Sequence, residues 1–535
     1  MKKKVKNNVV LPIIIEIIIA FVAFYLFLPA INPTSFGFWA FVTFVIIESW
    51  FVSSASNLFS NITLVGKVKD LPKRTLYSIL AVILIIASTI VINIIVGPIF
   101  NAKSYARRII VDETGVFTED VKEVDFTKVP LLDKASSEKV GDRIMGQYGE
   151  YVSQFYVSEE YTQINYNDDI IRVTPLEYDG FIKWLANKKN GIGAYITVNS
   201  VNGEVKLVKL ESGMKYLKSA YFNSNLTRIL RFQYPFTIFG ESKFEIDNEG
   251  NPYYITPTIG YTGIGMKTRV TGAIITDPIT GKSVKYDIED VPTWVDNVYP
   301  AYLVIEQVND WGTYRNGFIN SIFGQKNVVN TTEGYNYLAL NDDIYLYTGI
   351  TSVLTDESNL GFILTNLRTG ATTLYNVPGA EEYSAMDSAQ GQVQQMGYIS
   401  TFPLLINLNN RPTYLVSLKD NAGLVKMYGF VDVSDYQKVV VTDASLGINK
   451  AAENYLNTNS IKISDELLKS RNITIKSIVN IVKDGNTYFY ITDTNNNKYV
   501  ANIKVSNNLP FINVGDNIDI KYFNETDIID IMKIG

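Results

Sequence analysis

The chain has 535 residues, no cysteine, no histidine and a formal net charge of −6 at pH 7. The two absences exclude a disulfide framework, a thiol nucleophile, a histidine general base, and zinc or haem sites of the usual kind. The N-terminal hundred residues are so apolar that about 430 remain for soluble structure, enough for several domains.

Three apolar runs occupy this N-terminal part, at about 9–31, 36–55 and 78–100. A helix of about 20 apolar residues crosses the hydrocarbon core of a bilayer. We therefore predict that residues 1–104 form a membrane anchor of three transmembrane helices. A cleaved signal peptide is the alternative for the first run, but that run is longer than the apolar stretch of such peptides.

Basic residues predict the orientation of the anchor. Positive charge is retained on the cytoplasmic side, and the short loop 32–35 has no charge. The N-terminus is therefore expected in the cytoplasm and residues after about 100 outside it, although Lys103, Arg107 and Arg108 oppose this assignment. The supporting basic residues are Lys2, Lys3, Lys4, Lys6, Lys67, Lys69, Lys73 and Arg74.

Net charge differs between the two parts of the chain. Residues 1–108 carry +8, so the remainder carries −14. Acidic protein repels nucleic acid, and no basic stripe with interleaved aromatic residues is present. We exclude nucleic acid as a partner.

Two glutamates, Glu16 and Glu48, lie within the apolar runs at similar predicted depth. Carboxylates inside a bilayer are costly and need an explanation. One interpretation is a packing contact between helices that includes a polar neighbour such as Asn93, and the other is a proton or ion site. We favour the contact, because a pathway through only three helices requires an oligomer.

An internal repeat organises the outer part. NDDIIRVTP at 167–175 aligns with NDDIYLYTG at 341–349, and NEGNPYYITP at 248–257 is related to both. A hairpin pattern follows each time, with alternating apolar residues around a turn rich in Asn, Asp, Thr and Gly, at 193–203, 272–281 and 361–370. The spacing predicts small α+β repeats at 105–217, 218–330 and 331–400, and a degenerate fourth at 401–460.

Helices are expected between these strand pairs. A capping box predicts one that starts at Thr174-Pro175-Leu176-Glu177. The others are predicted at 226–232, 300–310, 380–396 and 445–456.

Residues 244–257 and 272–286, with a helix before them, resemble the PepSY and cystatin-like extracytoplasmic modules. The shared features are a strand with a Pro-x-Tyr step and a hairpin whose turn reads Asp/Asn-x-x-Thr-Gly. This resemblance implies modules that bind or restrain other proteins and have no catalytic residues of their own. The whole chain also resembles an uncharacterised class of multi-pass envelope proteins of Gram-positive bacteria, which implies no activity.

Residues 461–535 are predicted to form a small β-barrel. A helix at 464–470 precedes five short strands, at 473–482, 487–492, 498–505, 517–522 and 528–534, in a pattern that resembles the OB-fold. The segment is nearly neutral, which does not favour single-stranded nucleic acid. We expect a cap that contacts protein or glycan.

Carboxylate pairs are the main catalytic candidates, at Asp168 with Asp169 and at Asp342 with Asp343. Because both pairs occupy the same place in the repeat, a turn role is favoured. Asp493, Asn495 and Asn497 have the spacing of a calcium loop but lack its Gly and its acidic twelfth residue. No catalytic, cofactor-binding or metal-binding residues are therefore assigned.

Two segments are richer in polar and aromatic residues than a hairpin needs: WGTYRNGFINSIFGQ at 311–325 and TDESN at 355–359. Loops between strands commonly carry binding residues, although a buried polar network between repeats is the alternative. The candidate interaction residues are Trp311, Tyr314, Arg315, Asn316, Asp356 and Glu357.

These features together predict a non-enzymatic, membrane-anchored extracytoplasmic scaffold or protein-interaction protein of the bacterial cell envelope. Its expected partners are the bilayer, further copies of itself and other envelope proteins. The alternatives are a regulator or inhibitor of an extracytoplasmic hydrolase and a carboxylate-dependent cell-wall enzyme.

Overall fold

A computed structural model describes residues 10–60, 73–353, 355–459, 468–483, 486–522 and 527–534. The fold is a mixed α+β arrangement of several sheets. It divides into two compact units. The first comprises residues 1–114, 130–356 and 362–374, and the second comprises residues 115–129, 357–361 and 375–535.

The helices in the described residues are named here in chain order. They are α1 (Val10–Phe27), α2 (Phe36–Ser60), α3 (Lys73–Val96), α4 (Pro98–Ala106), α5 (Phe117–Asp120), α6 (Lys134–Met145), α7 (Gly149–Val152), α8 (Phe181–Asn187), α9 (Leu226–Gln233), α10 (Ala301–Tyr314), α11 (Glu382–Gly391) and α12 (Ile448–Thr458).

Among the described helices, α3 is the one long and apolar enough to cross a membrane, over Thr75–Val96. Shorter apolar helical stretches lie in α1, at Pro12–Phe27, and in α2, at Phe36–Val52. The third apolar run was predicted to reach residue 100, but α3 ends at Val96. Gly97 and Pro98 follow it, and proline at the first position of α4 starts a new helix because its ring fixes φ and removes the N–H donor.

The strands form four sheets and a barrel. The first unit contains β1 (Val111–Gly115), then the first sheet, with β2 (Phe155–Val157), β3 (Thr162–Tyr166), β4 (Asp169–Tyr178), β5 (Ile192–Asn199) and β6 (Val205–Met214). The second sheet comprises β7 (Ile238–Phe239), β8 (Lys243–Ile246), β9 (Pro252–Gly260), β10 (Arg269–Thr276) and β11 (Ser283–Asp287).

The remaining strands continue in chain order. The third sheet comprises β12 (Val329–Thr331), β13 (Asn336–Leu340), β14 (Asp343–Ser352), β15 (Thr355–Asn366), β16 (Thr372–Tyr375) and β17 (Gly379–Ala380), with β1 at its edge. The fourth comprises β18 (Ile399–Ser400), β19 (Leu404–Asn407), β20 (Pro412–Lys419), β21 (Val425–Asp432) and β22 (Val439–Asp443). The barrel comprises β23 (Lys469–Lys483), β24 (Asn486–Asp493), β25 (Lys498–Asn502), β26 (Asn517–Tyr522) and β27 (Asp527–Ile534).

The four sheets share one order of pairing. Apart from β1 in the third sheet, two short strands come first in the chain in each sheet, and both pair with the long third strand. The third strand also pairs with the fourth, and the fourth pairs with the fifth. The four orders are β2-β4-β5-β6 with β3 on β4, β7-β9-β10-β11 with β8 on β9, β12-β14-β15-β16 with β13 on β14, and β18-β20-β21-β22 with β19 on β20.

A backbone hydrogen bond also recurs at one place in all four. Each bond ties the segment before a sheet to the turn that joins the last two strands of the common order, and the four donors are 84, 83 and 81 residues apart. The bonds run from the N–H of Leu132 to the carbonyl of Ser200, from Tyr216 to Pro278, from Tyr299 to Leu367, and from Ala380 to Val433, at 2.8 to 2.9 Å.

The repeated Asn-Asp pairs are hairpin turns, as predicted. Asn167 and Asp168 join β3 to β4 with φ of 51° and 68°, and Asn341 and Asp342 join β13 to β14 with φ of 50° and 70°. Two consecutive residues with positive φ are typical of a turn whose twist matches the flanking strands, and Asn and Asp tolerate this region well.

The helix predicted at Thr174-Pro175-Leu176-Glu177 is wrong. These residues lie inside β4, which pairs with β2, β3 and β5. The Thr174 hydroxyl, expected to cap a helix, donates to the carbonyl of Ser158 at 2.8 Å. Strand pairing on both sides prevails over the local capping signal, and α8 begins after Gly180, whose φ is 87°.

The four helices predicted at 226–232, 300–310, 380–396 and 445–456 correspond to α9, α10, α11 and α12. Packing of α10 illustrates how they contribute to the core. Val304 and Val308 on one face of α10 join Ile344, Leu346 and Ile363 of the third sheet in one hydrophobic cluster. An apolar stripe with this spacing buries a helix face against a sheet.

The C-terminal strands close into a barrel in the order β23-β24-β25-β27-β26. Described pairs are antiparallel except β25 with β27, which is parallel, for example Val500 opposite Asp527. Of the helix predicted at 464–470, residues 464–467 lie outside the described residues, and Lys469 and Ser470 already belong to β23.

Candidate functional site

The turn between α1 and α2 is bound to the second sheet by backbone hydrogen bonds. The N–H of Ile31 donates to the carbonyl of Pro235, and the N–H of Gly265 donates to the carbonyl of Thr34, both at 2.8 Å. Because these bonds join residues more than 200 positions apart in sequence, they attach the connected ends of α1 and α2 to a folded sheet rather than to a linker.

Arg231 lies at the centre of this attachment. Its side chain is buried. Its guanidinium donates to the carbonyl of Leu28 at 3.0 Å and to that of Thr237 at 2.6 Å. It also donates to the carbonyls of Tyr234 and Pro235, both at 3.3 Å. Burial lowers the pKa of Arg231 to about 10, so it stays charged at neutral pH. A helix leaves its last carbonyls unsatisfied, and a cation there is favourable.

Asn93 makes a second attachment. Its side-chain amide donates to the carbonyl of Ile264 and accepts from the N–H of the same residue, both at 3.0 Å. Asn93 lies three residues before the C-terminal end of α3, whereas Glu48 lies twelve residues after the N-terminal end of α2. At about 1.5 Å per residue along a helix, the two residues lie at different distances from these ends, and the partner of Asn93 is Ile264 rather than the glutamates.

The two glutamates are neighbours of one another. Glu48 is buried, its two carboxylate oxygens have no hydrogen-bond partner among the described residues, and Glu16 is close enough to act on it electrostatically. Glu16 on α1 therefore acts electrostatically on Glu48 on α2, and the two helices contact each other.

Arg108 links α4 to α10. Its guanidinium pairs with Glu306 at 2.7 Å and with Asp310, and donates to the carbonyl of Thr268 at 2.8 Å. Only 4% of the side chain is exposed. Arg108, one of the three cations that opposed the predicted orientation, is therefore neutralised within the protein.

The predicted interaction residues at the end of α10 and just after it have internal partners. Trp311 is buried, and the Arg315 guanidinium stacks over its ring at 4.6 Å and donates to the carbonyl of Asn327 at 2.9 Å. Tyr314 packs edge-on against Tyr105, and Asn316 donates to the carbonyl of Lys326 at 3.1 Å. These polar and aromatic groups hold the conformation of the loop, mainly through contacts within the segment 311–327.

Three apolar side chains that the sequence analysis did not single out project from the same loop. Ile319, Ile322 and Phe323 are 74%, 51% and 83% exposed. Their spacing within a polar segment is the signal that would have identified them. Asp356 and Glu357 lie in β15, and their side chains lie outside the described residues.

A cleft of about 810 Å³ opens between α4 and this loop. One wall carries Ile99, Phe100, Lys103 and Arg107, and the opposite wall is formed by residues 316–320. Lys103 and Arg107 are exposed, one helical turn apart, and form no ion pair among the described residues.

A second cleft, of about 800 Å³, lies between the first sheet and two turns of the second. Asp169 and Tyr195 line it, and the Tyr195 hydroxyl donates to the carbonyl of Gly250 at 2.8 Å. Acidic and basic side chains are mixed along its walls, including Glu204, Lys206 and Lys209. Asp169 is therefore at a cleft whose walls also carry Glu204, Glu249 and Asp277.

Buried carboxylates elsewhere in the first unit have structural partners. Asp343 accepts two hydrogen bonds from Arg368, at 2.7 and 2.8 Å, and one from Asn366 at 2.8 Å. The predicted pair of Asp342 and Asp343 is thus a turn residue beside an ion-paired one. No group of three or more metal-ligating acidic side chains occurs in the part of the chain that the structure describes.

Glu245 and Asp296 form a second buried acidic site. Glu245 accepts from the backbone N–H groups of Asp296 and Asn297, both at 2.9 Å, and Asp296 accepts from the N–H of Asn165 at 2.7 Å. Burial raises the pKa of Glu245 to about 7 and that of Asp296 well above its usual range. These bonds join the first sheet, the second sheet and the segment before α10.

Comparison with known proteins adds little to this geometry. No protein-family model and no curated protein matches the sequence. Among solved structures, the chain is similar to the crystal structure of an ACO/RPE65 chimera at 7% identity and a TM-score of 0.15. The alignment covers 72% of this chain and 64% of that chain, so this chain spans less than two thirds of its length. A TM-score this low carries no argument.

Proposed function

We propose that the chain is a non-enzymatic, membrane-anchored scaffold or protein-interaction protein of the cell envelope. Its three apolar helices cross the membrane, the N-terminus is cytoplasmic, and the sheets and barrel lie outside. The observation that carries the proposal is that an apolar helix long enough to span a bilayer has none of its apolar window buried by protein, while its outer end is hydrogen-bonded to a folded sheet through Asn93.

Two further features support a binding role rather than catalysis. The common pairing order and the recurring backbone bond favour four tandem copies of one module, which is how repeat proteins build extended binding surfaces. The carboxylates proposed for an enzyme, Asp168 and Asp342, occupy hairpin turns. PepSY-like character of the modules remains part of the proposal.

Self-association is proposed on the barrel. Val479, Ile481 and Tyr490 are 56%, 49% and 40% exposed on one face of paired strands β23 and β24, where Val479 lies opposite Tyr490. Exposed apolar patches of this kind commonly mark protein contacts. The barrel's strand order, with one parallel pair, supports the OB-like assignment and a role as a protein-contacting cap.

Single cysteines test the anchoring and orientation, because the chain has none of its own. We expect a membrane-impermeant maleimide to label Val284→Cys on intact cells and Lys69→Cys only after permeabilisation. The protein should also stay in the membrane pellet at alkaline pH. The reverse labelling pattern would contradict the orientation, and release into the alkaline supernatant would contradict the anchor.

Mass photometry in nanodiscs tests self-association, which a strictly monomeric particle would contradict.

A further inference from the structure

The loop after α10 presents an apolar surface that the proposed function does not use. The apolar turn, residues 318–324, contains a π-helical segment at Asn320–Gly324. Its side chains Ile319 and Phe323 are among the most exposed apolar groups of the first unit, and Ile322 is half exposed. Exposed clusters of large apolar side chains indicate a surface that contacts protein or lipid.

The turn is held in this conformation by polar bonds beneath it. Asn316 and Asn320 each donate to the carbonyl of Lys326 at 3.1 Å, and Asn320 accepts from the Lys326 N–H at 3.2 Å. The apolar side chains are therefore presented by a fixed scaffold.

The turn lies next to the outer end of the proposed membrane helix. It faces Ile99 and Phe100 across the cleft of about 810 Å³, and both are more than half exposed. Ile99 follows the end of α3 by three residues, a distance of about 5 Å along a helix. The headgroup region is about 5–8 Å thick on each side of the hydrocarbon core, so a residue about 5 Å beyond a spanning helix lies in the interface, where the apolar faces of surface-bound helices are found.

The cleft is also positively charged. Lys103 and Arg107 line it, and no acidic side chain does so among the described residues. This local excess of positive charge contrasts with the net charge of −14 carried by residues 109–535. Cations beside an apolar surface match a phosphate attached to acyl chains better than they match a soluble anion or an acidic peptide.

We propose that the apolar turn and the outer part of α4 form an interfacial contact with the outer leaflet, in which Lys103 and Arg107 bind the phosphate of an anionic phospholipid. This inference rests on the proposed membrane anchoring. It also explains why two cations persist on the outer side, where the charge rule disfavours them, while the third, Arg108, is paired within the protein.

A fluorescent label tests the depth of the turn. The full-length variant Phe323→Cys carries an environment-sensitive dye in nanodiscs that contain spin-labelled lipid, and Phe511→Cys, an equally exposed phenylalanine of the barrel segment, is the control. We expect blue-shifted emission and lipid quenching at 323 and neither effect at 511. Equal behaviour of the two labels would overturn the contact.

Native mass spectrometry tests the phosphate site. Nanodiscs of phosphatidylcholine with phosphatidylglycerol are compared for the chain as it is, for Lys103→Gln/Arg107→Gln, and for Lys282→Gln/Lys285→Gln, which removes two exposed cations from the second sheet. Binding of phosphatidylglycerol should fall by about tenfold in the first variant only. Equal retention in both variants, or displacement of the lipid by free glycerol phosphate, would overturn the lipid assignment.

The outcomes separate this inference from the proposed function. A protein that resists alkaline extraction but has a water-exposed label at 323 retains its anchor and lacks the interfacial contact. A protein that is released by alkaline extraction lacks the anchor itself.

Discussion

At the residue scale, acidic side chains in the sheets mainly connect neighbouring segments by hydrogen bonds. Asp343 holds Arg368 through two hydrogen bonds, and Glu245 holds two consecutive backbone N–H groups next to Asp296. Their fully or nearly buried positions leave them little contact with water. A buried carboxylate that receives hydrogen bonds fixes the geometry of the segments that donate them.

Glu245 should make stability depend on pH. Its folded pKa of about 7 lies above the unfolded value of about 4.3, so the folded chain holds the proton in the window between them. The stabilising contribution is complete below the unfolded pKa and is lost as the pH rises through about 7. Asp296, whose pKa is raised by burial, acts in the same direction.

The variant Glu245→Gln should therefore lose less stability than the unaltered chain when the pH rises from about 4 to about 8. We expect the difference between their free energies of unfolding to change by about 2–4 kcal/mol from about pH 4 to about pH 8. Denaturant titrations at several pH values measure it. Glu249→Gln, at an exposed neighbouring position, should follow the unaltered chain, and parallel pH profiles for all three would contradict the prediction.

At the element scale, the recurrent feature is the contact between the turn that joins the last two strands of a sheet and the segment that precedes that sheet. Gly281 and Gly370 occupy equivalent turn positions with φ of 76° and 77°. A Cβ at Gly281 would lie 2.7 Å from the ring of Tyr216, and one at Gly370 would lie 2.5 Å from that of Tyr299. Equivalent glycines in two sheets thus lie against equivalent tyrosines, and each tyrosine also donates the recurring backbone hydrogen bond.

Alanine at either position should be costly for two reasons, the positive φ and the contact with the ring. We expect Gly281→Ala and Gly370→Ala to lower the free energy of unfolding by about 2–4 kcal/mol each. Gly397→Ala isolates the first cost, since Gly397 is also left-handed, with φ of 65°, but has open space around its Cβ. Thermal or denaturant unfolding measures all three, and an equal loss in Gly397→Ala would show that the aromatic contact contributes nothing.

At the scale of the first unit, the main feature is the attachment of the apolar helices to the second sheet. Arg231, Asn93 and the turn at 28–35 together join three helices to one sheet. A rigid attachment of this kind sets the orientation of the outer sheets relative to the helices that we propose cross the membrane. It also limits how far a partner bound to the sheets can move.

Arg231→Lys should weaken this attachment although it keeps the charge. A lysine ammonium cannot reproduce the planar set of donors that reaches Leu28 and Thr237, so buried carbonyls would be left unpaired. We expect a loss of about 2–4 kcal/mol in the free energy of unfolding, and faster proteolysis in the turn at 28–35. Arg143→Lys, on the exposed side of α6, is the control. Unchanged proteolysis and stability in Arg231→Lys would contradict a role for Arg231 in the attachment.

Local patterns in the sequence predicted much of the fold that follows the apolar helices. The hairpins at 193–203, 272–281 and 361–370, the Asn-Asp turns and the barrel strands were found because alternation and turn chemistry act over a few residues. The same reasoning failed at Thr174, where a capping signal lies within a strand paired on both sides.

The sequence by itself therefore determined the apolar helix of α3, the turns and the barrel strands, since each depends on neighbours along the chain. Only the tertiary structure decided that Arg231 binds Leu28, that Asn93 binds Ile264 instead of facing Glu48, and that the apolar side chains of the turn at 318–324 point outward. The partners in the first two contacts are 203 and 171 residues apart. Contacts at such separations depend on how sheets and helices pack together, which no local periodicity encodes.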